Sequence, residues 1–226
     1  MKETFCLRPA RYSDLDDLLS LAQQAEYGLT SLPKDRHALR ERLLLSIESF
    51  QRYVGSPGDE LYIFVLESLV SQKVVGTCNI LASIGFKDPF FSYQLHSFLK
   101  ESSEQGISQH IDVLEPISIN KGSSEIGGLY LHPDYRGMGL GRLLSLGRFM
   151  FMETHLRRFK DTVIAEMRGV SDASGYSPFW AHVGQRYLGI SFKEADLCSI
   201  QDPLFIKNCF PQVPVCVNLL DSSAQE

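Results

Sequence analysis

The spacing of apolar residues changes along the chain, and these changes predict a protein with both helices and strands. Spacings of three and four residues predict one helix that begins after Ser13 and Asp14 and a second from about Lys34 to Phe50. Short runs of β-branched and aromatic residues between turn residues predict strands. These strands are Phe5 to Pro9, Leu61 to Glu67, Lys73 to Ser83, Phe90 to Leu95, Glu125 to Leu131 and Thr162 to Arg168.

The remaining segments give weaker patterns. Residues 100 to 122 are expected to be a connection with an edge strand at Ile117 to Ile119, because glycine and proline interrupt any longer element. A helix after Gly141 is expected to end near Arg158, another begins at Pro178, and no firm element is expected after Pro203. The residues expected inside the helix after Gly141 are Leu143, Leu144, Leu146, Phe149, Met150 and Met152. This order lacks the regular alternation of a doubly wound sheet.

Composition and charge narrow the class of protein. The 226 residues are 44% apolar and 22% charged, as in an ordinary globular protein. The net charge of -5 argues against a nucleic-acid or anionic-membrane surface. No apolar run approaches the roughly 18 to 20 residues that span a bilayer, and no signal-peptide core is visible. The five scattered cysteines favour reduced thiols in a cytoplasm over disulfides, and no metal site is expected.

A glycine-rich loop lies between a predicted strand and the long amphipathic helix. Gly137, Gly139 and Gly141 leave backbone N–H groups bare at a helix N-terminus, which predicts an anion site, usually for phosphate. The spacing is not the G-x-G-x-x-G of dinucleotide-binding loops, and no lysine follows Gly141 as a P-loop requires. The sequence therefore argues against NAD and ATP.

The loop resembles the acyl-CoA site of the Gcn5-related N-acetyltransferase superfamily, whose signature [Q/R]-x-x-G-x-[G/A] is matched by Arg136, Gly139 and Gly141. The resemblance implies an α/β (α+β) fold with a mixed, mostly antiparallel, twisted sheet that is flanked by helices and splayed at the strand before the loop. Acyl-CoA would enter the gap as co-substrate, with no tightly bound cofactor. The residues that would bind it are Leu129, Tyr130, Leu131, Arg136, Gly137, Met138, Gly139, Leu140, Gly141 and Arg142.

Longer segments are similar to the arginine N-succinyltransferase family: Gly28 to Pro33, Ala165 to Val170 and Gly175 to Trp180. This resemblance implies succinyl transfer from succinyl-CoA to the α-amino group of arginine in arginine breakdown. Members of that family extend beyond the C-terminus of this chain and carry there a histidine that acts as proton donor. We predict an acyltransferase domain in residues 1–200 and a packed extension in 201–226. The alternatives are a catalytically silent CoA-binding subunit, in a homo- or hetero-oligomer, or an acetyltransferase for another amine.

Several residues are candidates for the chemistry of amine acylation. Glu125, eleven residues before Arg136, is the candidate base, with a solvated or paired glutamate as the alternative. A backbone N–H near Leu129 or Tyr130 would meet the oxyanion. Glu166 is expected to share a face of its strand with Arg168, either to bind a cationic group and a carboxylate or to form a structural ion pair. His182 is a candidate donor to the leaving thiolate, as are Tyr176 and Tyr187.

The acceptor pocket is expected to be bordered by Thr30 and Ser31, whose hydroxyl groups would bind substrate or cap the next helix. Trp180 is a further candidate for substrate binding. The expected partner is a small-molecule amine, arginine or a related amino acid.

Overall fold

The computed structural model describes residues 3–25, 29, 31–167, 169–172, 174–202 and 205–225. They group into two compact units, Met1–Asp88 with Asn120–Met167, and Pro89–Ile119 with Arg168–Glu226. The predicted division at residue 200 stays a prediction. In the described ranges, no helix is long and apolar enough to cross a membrane.

The first unit is built on a five-stranded sheet in the order β1-β2-β3-β6-β7. Neighbouring strands are antiparallel, except that β6 and β7 are parallel. This mixed, mostly antiparallel sheet is the one that the sequence predicts. Its strands are β1 Phe5–Pro9, β2 Leu61–Ser68, β3 Lys73–Leu81, β6 Ser124–Leu131 and β7 Val163–Ile164.

Helices cover both faces of this sheet: α1 Leu15–Gln24, α2 Arg36–Gln51 and α3 Leu140–Thr154. Side chains of a strand alternate between faces, so β2 shows which helix lies where. Ile63 and Val65 join the apolar cluster that contains residues of α1 and α2. Tyr62 and Phe64 join the cluster that contains residues of α3. The sheet is therefore buried on both faces, with α1 and α2 on one side and α3 on the other.

The second unit contains a long β-hairpin, a third short strand and five short helices. Its elements are β4 Phe90–Ser102, β5 Ile107–Ile119, β8 Val215–Cys216, α4 Pro178–His182, α5 Gly184–Leu188, α6 Phe192–Gln201, α7 Phe205–Cys209 and α8 Ser222–Gln225. The expected connection over residues 100 to 122 is wrong, since β5 pairs with β4 from Ile107 to Ile119. Gly106, interpreted as a break, supplies the positive φ of +65° in the hairpin turn. Pro116 lies beyond the two residues of β5 that pair with β8.

Other boundaries also differ from the sequence prediction. The strand expected from Thr162 to Arg168 is limited to β7, and Met167, within the expected range, is 88% exposed. The helix expected to end near Arg158 ends at Thr154. Elements after Pro203 do form, namely α7, β8 and α8.

The buried face of α3 differs from the one predicted. Its buried residues recur every fourth position, at Leu140, Leu144, Arg148 and Met152, because that row faces the sheet. Four residues expected inside are exposed by 38 to 70%: Leu143, Leu146, Phe149 and Met150.

Candidate active site

The glycine loop enters α3 through a backbone that only glycine adopts easily. Gly137 has a φ of +80° and Gly139, the N-cap of α3, a φ of +78°. A Cβ atom added at Gly137, Gly139 or Gly141 would meet nothing within 4 Å. The loop therefore faces open space.

The backbone donors of the loop are free to bind a ligand. Within the described part of the chain, no acceptor pairs with the N–H groups of residues 137 to 141, whereas those of Arg142 and Leu143 both donate to the Gly139 carbonyl. These groups lie at the positive end of the α3 dipole. The geometry therefore supports the predicted anion site.

Arg136 holds the loop against the end of β6. Its Nε donates to the Leu131 carbonyl at 3.2 Å, and its guanidinium lies 5.9 Å from the centre of the Tyr130 ring. Leu129 and Met138 are exposed by 38 and 54%, and Arg142 is also exposed. The residues predicted to bind acyl-CoA thus lie together along β6, the loop and the first turn of α3.

The sheet is splayed beside this loop. β6 pairs with β7 only at Ser124 and Glu125, so the rest of that edge of β6 has no strand partner in the described ranges. On the other edge of β6, Gly127 pairs with Asn79 of β3, and Tyr130 pairs with Thr77. Between these two pairs, two residues of β6 face one residue of β3. This β-bulge contains Gly128, whose φ is +57° and whose added Cβ would collide with the Asn79 amide. Backbone groups of the bulge therefore lie outside regular pairing beside the splay.

Polar side chains crowd the space above Gly127, on the face of β6 that Glu125 shares. A Cβ atom added at Gly127 would lie 3.3 Å from Asn79 Oδ1, 3.5 Å from Glu125 Oε1 and 3.9 Å from Ser31 Oγ. Asn79 Nδ2 also donates to the Ser31 carbonyl at 3.5 Å. Glu125 and Ser31, predicted separately, therefore meet at one place.

The surroundings of Glu125 favour the protonated form of its carboxyl group. Burial raises the pKa of Glu125, the charge of Glu166 raises it further, and Arg42 opposes both effects. Glu166 follows β7 at an exposed position, yet the protein atoms around its carboxyl group desolvate it and raise its pKa as well. A carboxylate with a raised pKa accepts a proton at a pH nearer neutrality.

Arg42, on α2, is a charged residue of this region that the sequence does not single out. Its Nε is buried and has no hydrogen-bond partner in the described structure. Burial lowers its pKa, and the charge of Glu125 opposes that effect. The sequence could have indicated Arg42 by its position in α2, because Arg42 lies in the same inward-facing row as the buried residues Leu39, Leu43 and Ser46.

Two predicted residues belong to the second unit. His182 contacts the Pro178 carbonyl at 2.9 Å through Nδ1 and Asp221 at 2.8 Å through Nε2, and both contacts raise its pKa. Trp180 donates from Nε1 to the Ile190 carbonyl at 2.9 Å and lines a cavity of about 290 Å³. Their roles stay predictions. Thr30 and Arg168 lie outside the described residues.

An open glycine loop beside a splayed, bulged strand is the arrangement that the resemblance to the Gcn5-related N-acetyltransferase superfamily implies. The chain belongs to the arginine N-succinyltransferase family, since the family model described as arginine N-succinyltransferase beta subunit matches residues 5–226. Both the predicted fold class and the predicted family are confirmed.

Named relatives support this assignment. Arginine N-succinyltransferase of Enterobacter sp. (strain 638) is 38% identical over 220 residues, which are 97% of this chain and 64% of that protein. The protein of that name from Escherichia coli O139:H28 is 37% identical over 221 residues, with the same coverage. The solved arginine/ornithine succinyltransferase subunit AI of Pseudomonas aeruginosa has a TM-score of 0.87 at 35% identity, covering 99% of this chain and 65% of that one. The chain thus spans about 64% of the length of these curated relatives.

Proposed function

We propose that this protein transfers the succinyl group of succinyl-CoA to the α-amino group of arginine. The observation that carries the proposal is the joint presence of an open anion loop, a splayed edge of β6 and a desolvated carboxyl group at Glu125. The names of the relatives supply the acyl group and the acceptor.

The donor would bind along β6 and the loop. The pyrophosphate of CoA would accept hydrogen bonds from the N–H groups of residues 137 to 141, with Arg136 and Arg142 adding positive charge. The pantetheine arm would lie against the free edge of β6 from Leu129 to Leu131. This arrangement would bring the thioester near the bulge and the Glu125 carboxyl group.

Transfer needs two protons removed from the nitrogen and one bond exchanged. Glu125 takes the first proton from the α-ammonium group, and the amine nitrogen then attacks the thioester carbon. A backbone N–H of Leu129 or Tyr130 stabilises the oxyanion. As the C–N bond forms, the C–S bond breaks, and the nitrogen releases its second proton to solvent. The CoA thiolate takes a proton, for which His182 is our candidate donor. Its raised pKa favours the protonated imidazole that such a donor needs.

The acceptor would bind beside Ser31, where the Glu125 carboxyl group also lies. Thr30, Arg168 and Trp180 stay our further candidates for substrate binding. In this arrangement, Glu166 would attract the cationic end of arginine.

A thiol-release assay tests the function. The full chain is given succinyl-CoA or acetyl-CoA with arginine, ornithine or a simple alkylamine, and products are identified by mass spectrometry. We expect the highest kcat/KM for succinyl-CoA with arginine, and one free thiol for each N-succinylarginine. Measurable CoA binding without turnover of any pair would contradict the proposal, and faster turnover of acetyl-CoA would replace succinyl transfer with acetyl transfer.

A further inference from the structure

The β-bulge of β6 is packed closely on the face of the sheet that α1 and α2 cover. Cys78 and Ile80 join the apolar cluster that contains residues of α3, so Asn79, which lies between them, points to the opposite face. The amide group of Asn79 fills the position that a Cβ atom of Gly128 would need. A side chain of the neighbouring strand β3 therefore closes this face of the bulge.

On the opposite face, a buried arginine of α3 reaches the same bulge. Arg148 is only 5% exposed, and its Nη1 donates to the Gly127 carbonyl at 3.4 Å. Two more hydrogen bonds stay within α3: Nε donates to the Ser145 carbonyl at 3.4 Å, and Nη2 donates to Ser145 Oγ at 3.3 Å. Among the described residues, the hydrogen bond to Gly127 is thus the one through which Arg148 joins α3 to β6.

This arginine is buried without an opposite charge. Its three acceptors are neutral oxygen atoms, and no carboxylate of the described residues accepts a hydrogen bond from it. Burial lowers the pKa of Arg148, because its charged form loses water. An apolar side chain of similar length would fill the same space without this cost. Packing alone therefore does not call for an arginine here, whereas a donor for the Gly127 carbonyl does.

The hydrogen bond to the Gly127 carbonyl also orients the peptide group that follows it. A peptide unit is planar and trans, so the direction of this carbonyl determines the direction of the Gly128 N–H. Gly128 then turns with a φ of +57°. Two successive glycines have no side chains of their own to hold such a conformation. The N–H groups of Leu129 and Tyr130, which come next, therefore depend on this segment for their direction.

We propose that Arg148 is a positioning residue for acyl transfer, which holds the bulge so that the N–H of Leu129 or Tyr130 faces the thioester oxygen. This inference rests on the proposed function and adds to it the residue that orients the oxyanion donor. Arg148 lies about 12 Å along α3 from Leu140, at 1.5 Å per residue. A single helix thus supports the CoA pyrophosphate at its start and the thioester through Arg148. Loss of Arg148 should therefore lower kcat and leave CoA binding nearly unchanged.

Kinetics and CoA binding of Arg148→Met and Arg148→Lys test this separation. In Arg148→Met, we expect kcat for succinyl transfer to arginine to fall about 30-fold, which is less than the roughly 100- to 1,000-fold effect of losing an oxyanion donor itself. The Kd of CoA, measured by calorimetry, should change less than about threefold. Arg148→Lys keeps a charged donor on a flexible stem, so it should recover part of kcat.

The matched control is Arg158→Met. Arg158 also donates to backbone carbonyls in the first unit, those of Ser49 at 2.8 Å and Arg52 at 3.2 Å, but these lie at the end of α2. We expect it to lower the midpoint of thermal unfolding at least as much as Arg148→Met, with kcat changed less than about threefold. An equal loss of kcat in both variants, or a CoA affinity that falls as much as kcat in Arg148→Met, would overturn the proposal.

Infrared spectroscopy separates this proposal from the proposed function. Succinyl-CoA that carries ¹³C at the thioester carbonyl is bound to each protein without an acceptor. A hydrogen bond from β6 lowers the frequency of this carbonyl, and we expect Arg148→Met, but not Arg158→Met, to return it towards the value of free succinyl-CoA. That result supports the positioning role even if no transfer to arginine is found. An equal carbonyl frequency in the unmodified protein and Arg148→Met, or normal kcat in a folded Arg148→Met protein, refutes the role and leaves the function standing.

Discussion

The protein atoms around Glu125 shield its carboxyl group from water, and two charged residues act on it. Burial and the charge of Glu166 raise its pKa, whereas Arg42 opposes the rise. A base works only when ionised, so activity should be lost as the pH falls through a value above the ordinary 4.5 of a glutamate.

Substitutions of the two glutamates test this assignment. Glu125→Gln removes the proton acceptor and should lower kcat about 100-fold or more. Glu166→Gln removes a negative charge near Glu125, which lowers the pKa of Glu125 and moves the acid limb to lower pH. The measurement is kcat/KM for arginine across the pH range, and full activity of Glu125→Gln would exclude this residue as the base.

The residues of the site differ in how visible they are in the sequence. Glu125 and the loop glycines occur within one strand–loop–helix segment, so their chemistry can be predicted from local spacing. Arg42 belongs to a helix that is distant in the sequence, and its charge influences Glu125 only once the chain is folded. Long-range pairing of this kind has no signature in a local pattern.

At the scale of elements, the start of α3 makes the donor site. Gly139→Ala introduces a side chain where φ is +78° and also places a methyl group in the open space before the helix. We expect CoA binding to weaken at least about tenfold, because an L-residue is strained by about 1 kcal/mol or more in this conformation and the loop donors shift. Calorimetric titration with CoA measures the effect.

The control for this substitution is Gly106→Ala. Gly106 has a φ of +65° and open space around its added Cβ, but it lies in the β4–β5 turn of the second unit. The backbone strain is therefore similar, whereas Gly106 belongs to neither β6 nor the glycine loop, so we expect CoA binding to be unchanged. Equal CoA affinity in both variants would show that the glycine loop does not hold the pyrophosphate.

The elements also show where sequence patterns fail. β2 and β6 were predicted within a residue of their ends, because each is a short apolar run between clear turns. Only one end of the β4–β5 hairpin was predicted, as strands at Phe90 to Leu95 and Ile117 to Ile119. The rest was missed because most of its side chains are exposed or half-buried, so they show no strict alternation. α3 was predicted, but its buried face was assigned to the wrong residues. The buried row includes the charged Arg148, whereas apolar residues also lie on the exposed faces of the helix.

At the scale of the whole molecule, one cluster of charges joins three elements of the first unit. Arg8 on β1 donates to both oxygens of Asp14 at 2.8 and 2.9 Å and to Glu67 on β2 at 2.6 Å. Asp14, just before α1, also accepts from the Arg11 N–H at 2.7 Å. Burial opposes ionisation of Asp14, but the hydrogen bonds from Arg8 and Arg11 outweigh it and lower its pKa.

Asp14→Asn should therefore destabilise the first unit. It leaves the Arg8 guanidinium, whose side chain is 12% exposed, without its bidentate partner, so we expect a loss of about 3 kcal/mol. The pKa of Asp14 is lowered in the folded state, so its contribution is complete above the ordinary value of 3.8 and is lost as the pH falls below it. Asp16→Asn is the control, because the Asp16–Arg36 pair is exposed by 78 and 58% and should contribute less than about 1 kcal/mol.

The two units need separate probes in this experiment, because they need not unfold together. The single tryptophan, Trp180, lies in the second unit, so its fluorescence reports there. Hydrogen exchange at the amides of β1 and β2 reports on the first unit. We expect Asp14→Asn to weaken protection in β1 and β2 at pH 7. This difference should shrink as the pH falls below 3.8 and disappear only below the lowered pKa of folded Asp14, where Asp14 is protonated in both states. Equal protection in Asp14→Asn and Asp16→Asn would mean that the Arg8 cluster does not stabilise the sheet, and that the packing of β2 between the helices is sufficient to hold β1 in place.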